Sequence, residues 1–202
     1  MYSITSYLKK FRDCEEGTVA VELVLMVPIL MWVFLSTFVY FDAFRVETNA
    51  ARATITITEM LSREEASITQ EYLDSVGAVL QTLTFADAQP DFRVTVYQYR
   101  QVDDTFRVVW SRHTGMGDVL DDNDLAQLHA NNRLPLISAT DHNVLVETQI
   151  EYSAPFSFNL SSFSASNLDD VTFTNSMIIR PRPGRLCFDP SPAPSDDICV
   201  AT

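Results

Sequence analysis

The chain of 202 residues carries 27 acidic against 14 basic side chains, for a formal net charge of −13 and a pI near 4.4. That balance argues against nucleic acid as a partner, because such binders offset phosphate charge with a basic face. The length leaves room for one membrane helix and one domain of ordinary size with a real core.

Residues 1–17 form a short hydrophilic stretch holding the only two lysines, Lys9 and Lys10, with Arg12 and then Asp13, Glu15 and Glu16. Gly17 closes it. The run Thr18 to Phe41 (TVAVELVLMVPILMWVFLSTFVYF) is long enough to cross a bilayer as a helix, for which about 20 predominantly apolar residues suffice. Its one charge is Glu22, and a carboxylate within a membrane helix costs roughly 2.5–3.5 kcal/mol at the bilayer centre, less near its edge. Either Glu22 has a partner or it is a tolerated interfacial glutamate reaching headgroup level. Pro28 removes a backbone hydrogen bond and predicts a kink, which bilayer helices tolerate. Basic residues ahead of the run place the N-terminus in the cytoplasm, although Arg45 and Arg52 follow on the other side.

Everything after Phe41 is then extracytoplasmic, where disulfides form and persist. Cys187 and Cys199 flank a Pro-rich stretch in the C-terminal tail, while Cys14 stands alone on the cytoplasmic side. A Cys187–Cys199 bridge is expected, worth roughly 3 kcal/mol in the chain-entropy model; the other possibility is two free thiols. A cleavable signal peptide fits poorly, since its apolar core would be shorter and followed by a small-residue cleavage site.

A hydrophilic leader, a glycine, and a hydrophobic helix with Glu five positions on make the type IV prepilin pattern. The stretch EEGTVAVELVLMVPIL, through Gly17, Val21-Glu22 and Pro28, resembles the TadE/TadF-like (TadE/TadG family) pseudopilins of the Flp/Tad pilus system. The resemblance covers about the first 40 residues and extends further only by layout. It implies that a prepilin peptidase cuts between Gly17 and Thr18. It also implies that Glu22 docks the subunit by meeting the new Thr18 ammonium of a neighbour, and that the partners are other Tad pilus subunits and platform proteins. Thr18 stands where many type IV pilins have Phe or Met.

The helix is expected to continue outward to about Leu61, with Ile55 and Ile57 among threonines a mild strand signal. A second helix is predicted over Ile68–Leu83, from Ile68, Tyr72, Val76, Val79, Leu80 and Leu83 at three- and four-residue spacing, with Ser67 and Gln70 as capping box. Strands are predicted over Phe92–Arg100 and Thr105–Arg112 as a hairpin around Val102-Asp103-Asp104, then Asn143–Tyr152 and Val171–Ile179. Asp122 to Asp124 are expected to cap a short helix, LAQLHA. The serine- and phenylalanine-rich stretch 153–166 is expected to pack onto the sheet, or else to meet other subunits. Arg180, Arg182 and Arg185 make one positive patch that could contact an acidic neighbour, with three solvated arginines the default expectation.

The resulting organisation is α+β and pilin-like: leader 1–17, transmembrane helix 18–41, and an extracytoplasmic domain 42–202 with a second helix on a small antiparallel sheet. His113, His129 and His142 lack metal-ligand spacing, the acidic stretch 118–124 lacks the glycine and closing glutamate of an EF-hand, and no nucleophile elbow or P-loop occurs. No catalysis, cofactor or metal is expected. The expected setting is a bacterial inner membrane, single-pass, with the domain in the periplasm. The rival is a signal-anchored periplasmic domain, ligand-binding or hydrolytic and unrelated to pili, in which Glu22 is incidental.

Overall fold

A computed structural model of the chain describes residues 18–86, 88–135, 141–154 and 171–190. Among them the elements run α1 (Thr18–Arg63), α2 (Gln70–Thr84), β1 (Asp91–Arg100), β2 (Thr105–Thr114), α3 (Asp122–Ala130), β3 (His142–Tyr152) and β4 (Val171–Ile179). The strands form one antiparallel sheet in the order β2-β1-β3-β4. The protein is therefore α+β, a long apolar helix joined to a four-stranded sheet. The expected packing of stretch 153–166 falls almost wholly outside the described residues.

The 46 residues of α1 span about 70 Å at 1.5 Å per residue. The helix passes through Pro28 without interruption. Its second half buries a stripe at helical spacing: Val39, Ala43, Ala50, Ala53, Ile57 and Leu61. The run Thr54-Ile-Thr-Ile-Thr, whose β-branched alternation suggests a strand, is helical. Threonine hydroxyls return to carbonyls four residues back, Thr54 to Ala50 and Thr58 to Thr54, and the stripe packs Ile57 into the core. Thr54 also meets Thr148 of β3 through their hydroxyls at 2.7 Å, which satisfies both groups beneath the helix.

The start of α2 is displaced from the predicted capping box. Ile68 is held extended beside Phe188: its N–H donates to the Cys187 carbonyl at 2.7 Å, and its own carbonyl accepts from the Asp189 N–H at 2.8 Å. Thr69 is then the first residue free to cap, and its hydroxyl accepts from the Tyr72 N–H. Leu73, Val76 and Leu80 join Ile57, Leu61, Phe92, Val94, Val96 and Trp110 in the core between helices and sheet.

A register irregularity at Val96/Tyr97 of β1 gives β2 one extra residue, Val109, between Val108 and Trp110. Such a bulge reverses which face later residues meet. Trp110 consequently lies in the helix-side core, whereas Phe106, of the same parity in the sequence, lies on the opposite face with Tyr97, Leu125, Leu134 and Leu145. On that second face sits α3. Its N-cap is Asp121, whose carboxylate accepts from the Asp124 N–H while Asp124 reciprocates. Asp122 has another task, accepting from the Val108 N–H at 2.8 Å and pairing with Arg107 at 2.7 Å, so α3 is tied to β2.

Candidate functional site

The first half of α1 projects from the domain. Val19, Val21, Leu23, Leu25, Ile29, Leu30 and Phe34 are exposed, and the apolar window has no share buried in the protein's own interior. From Leu23 to Phe41 no charged side chain occurs. That stretch is about 28 Å of helix, close to the thickness of a bilayer's hydrocarbon core. The helix thus has the length and composition of a single-pass membrane anchor.

Thr18 is the first described residue of α1, and Glu22 follows one turn later on the exposed helix, among Val19, Val21 and Leu23. The four-residue interval puts positions 18 and 22 on the same helical face. Gly17 and the rest of the leader lie outside the described residues.

The junction between the projecting half and the domain is built at Val39–Val46. Val39 is only 2 % exposed, so the domain grips the helix before the apolar run has ended. The Tyr152 hydroxyl, at the end of β3, donates to Asp42 at 3.1 Å and lies 3.4 Å from the Val39 carbonyl. Burial, with the bond to Asp42 and its charge adding, pushes the Tyr152 hydroxyl up to about 12. Beside this contact is a cleft of about 500 Å³ lined by Asp42, Val46, Phe85, Asp91, Glu151 and Tyr152, among others. Carboxylates, a phenol and apolar groups line it, and among the described residues no cluster of His, Cys, Asp and Glu is arranged to hold a metal ion.

The far end of the domain is fastened by the segment 180–189. Cys187 is disulfide-bonded, with its partner outside the described residues; the chain's other cysteines are Cys14 and Cys199. The Leu186 carbonyl accepts from the Trp110 indole at 2.8 Å, and the Arg112 guanidinium stacks 4.4 Å from the Phe188 ring centre. The Arg182 N–H caps the Ser62 carbonyl in the last turn of α1, and its side chain pairs with Glu59 at 2.5 Å, beside Arg63. The Arg63 hydrogen bond, aided by the charge of Arg182, holds the Glu59 carboxyl below its ordinary range. Arg180 pairs with Asp141 at 2.8 Å. All three arginines are exposed, as expected, and Arg180 and Arg182 form ion pairs as well. Their partners lie far away in sequence, Glu59 by 123 residues, and no local pattern signals them.

The histidines are dispersed, as their spacing suggests. His129 packs on Phe106 with centroids 4.8 Å apart, His113 is exposed on β2, and His142 is lowered from its ordinary value chiefly by burial and then by the Arg185 charge. The features the sequence did not point to are Tyr152–Asp42 at the base and the exposed Phe85 beside it. Neither matches a motif; an aromatic residue directly after a helical pattern, where glycine commonly ends a helix, was the one available signal for Phe85. The chain matches no family model, no curated protein and no solved structure.

Proposed function

We propose that the protein is a minor pilin or pseudopilin serving assembly of an Flp/Tad, type IV-like pilus, held in a bacterial inner membrane with its α+β domain in the periplasm. The observation that supports this reading is the apolar first part of α1, exposed over residues 19–34, with Glu22 one turn from Thr18. A prepilin peptidase removes residues 1–17 by cutting after Gly17, whose lack of a side chain suits a cleavage site at a helix start. The new ammonium of Thr18 meets Glu22 of an adjacent subunit, so that two charges costly in an apolar filament neutralise each other. The protein is a substrate of the peptidase and itself catalyses no reaction. Tad pilus subunits and platform proteins are its partners, and the layout of one long helix with a second helix on a small antiparallel sheet is compatible with a pilin. Cys187 pairs with Cys199 in the oxidising compartment.

Mass spectrometry of the protein isolated from its own cells tests the processing step; the expected N-terminus is Thr18. Gly17→Ala is expected to leave the longer chain on an immunoblot, and Glu22→Ala to be cut normally yet fail to support piliation. Unchanged size and normal piliation in both variants would refute the proposal in favour of an anchored periplasmic domain with another role.

A further inference from the structure

The end of α2 brings an aromatic ring to the level at which α1 leaves its apolar run. Phe85 caps the helix in the left-handed backbone region (φ 56°), with its N–H directed to the Gln81 carbonyl, and its side chain is 80 % exposed. A left-handed cap favours glycine, which has no Cβ to crowd the following carbonyl. A phenylalanine held there in near-complete exposure gains nothing from the protein's own core, and strain of that kind is grounds for seeking a function.

Phe85 lines the same cleft as Asp42 and Val46, which places it near that level of α1. Asp42 is the first charge after the apolar run, so Asp42 to Val46 lie about 2–8 Å beyond its end at Phe41. The polar layer on each side of a bilayer's hydrocarbon core is roughly 5–8 Å deep. Tyr40, Phe41 and Phe44 are exposed on α1 around the same level. Amphipathic or aromatic groups at this depth are favoured by the lipid boundary.

We propose that Phe85 is a second membrane contact, its ring entering the boundary between headgroups and acyl chains while α1 crosses the bilayer. The domain then rests on the lipid surface at two points and has a fixed tilt. Asp42, Asp91 and Glu151 also line the neighbouring cleft, so the contact is made by an apolar ring beside carboxylates and an electrically neutral lipid surface suffices. This inference rests on the reading of α1 as membrane-spanning.

The test uses the full chain in phosphatidylcholine vesicles at low protein density. Photoreactive benzoylphenylalanine replaces Phe85, Trp32 within the apolar run, or Val102, which is 90 % exposed in the turn at the far end of β1 from the base. After irradiation, covalent lipid adducts are quantified by mass spectrometry. Position 85 is expected to give at least roughly tenfold more adduct than position 102, as a group at the interface should. Adduct at 32 but only background at 85 overturns the proposal and leaves the anchor intact. A protein–protein adduct at 85 also overturns it, by assigning the ring to a second copy. Absence of adduct at 32 refutes the membrane-spanning reading itself.

Discussion

Ile55 and Ile57 give a direct test of how α1 uses its β-branched run. In a strand the two would share one face, because side chains repeat every second residue; in a helix they are about 200° apart. Ile57 is 0 % exposed in the core beneath α1, and Ile55 is 51 % exposed on the outer side. Ile57→Ala removes three buried carbons, about 2.4 kcal/mol at 0.8 kcal/mol each. The residual cavity brings the cost to about 3–4 kcal/mol, within the usual range for such truncations. At about 2–4 °C per kcal/mol for a domain of this size, the thermal midpoint should fall by about 6–16 °C. Ile55→Ala should stay within about 0.5 kcal/mol, as exposed substitutions do. Both are measured by thermal unfolding of the full chain in mild detergent, followed by near-ultraviolet circular dichroism. Equal losses would refute the helical packing of the run.

Phe85→Gly should raise the midpoint, because relieving a left-handed non-glycine residue is worth about 1 kcal/mol; a drop would mean that the ring is packed rather than free. Arg93 and Glu147 form an inward ion pair at 2.6 Å, with side chains 15 % and 9 % exposed, and Arg93 also donates to the Asp118 carbonyl. Glu147→Leu should cost about 3–5 kcal/mol by stranding the guanidinium, while the Arg93→Leu/Glu147→Leu double variant should recover most of that loss in urea unfolding. Tyr152 is raised in the folded state to about 12 from an ordinary 10. The folded state therefore binds more protons between those values, so the stabilisation is complete below pH 10 and disappears as pH rises toward 12. Tyr152→Phe should flatten that part of the stability profile, and an unchanged slope would place the effect elsewhere, for instance at Tyr72, which is raised similarly.

The elements with strong local periodicity were legible in the sequence. The apolar run, the α2 pattern and the strand Val171–Ile179 correspond closely to the observed segments: the run is set by its length and composition, α2 buries a stripe at helical spacing, and the first residues of the strand alternate between half-buried and exposed. Start points set by distant chain were not legible: Ser67 looks like the better cap of α2, but the bridge from Ile68 to Phe188 moves the start to Thr69. The bulge at Val109 has no glycine to announce it, so the parity of β2 misassigns either Phe106 or Trp110. At the site, the spacing of Thr18 and Glu22 was legible because it is local. The Tyr152–Asp42 contact and the Arg182–Glu59 pair join residues more than 100 positions apart, and charge alone could not select their partners.

The division of α1 has an energetic consequence for the proposed assembly. Its core-facing stripe begins at Val39, whereas residues 19–34 are exposed throughout. The apolar half can therefore exchange lipid for neighbouring helices without unfolding anything. Lipid tails are about as apolar as leucine, so that exchange has little hydrophobic driving force and depends on packing and polar contacts. Glu22 is then the group with most to gain. An unpaired carboxylate in the membrane carries a penalty of up to about 3 kcal/mol, and pairing it with an ammonium of another subunit removes much of that cost. A single residue thereby gives a direction to an otherwise nearly neutral transfer. Glu22→Gln, which keeps the shape and loses the charge, should accordingly leave the domain's thermal midpoint unchanged while reducing recovery of the protein with sheared pili. If Glu22→Gln enters pili as well as the native chain, the carboxylate supplies no assembly energy, and packing of the apolar helix must drive the transfer alone.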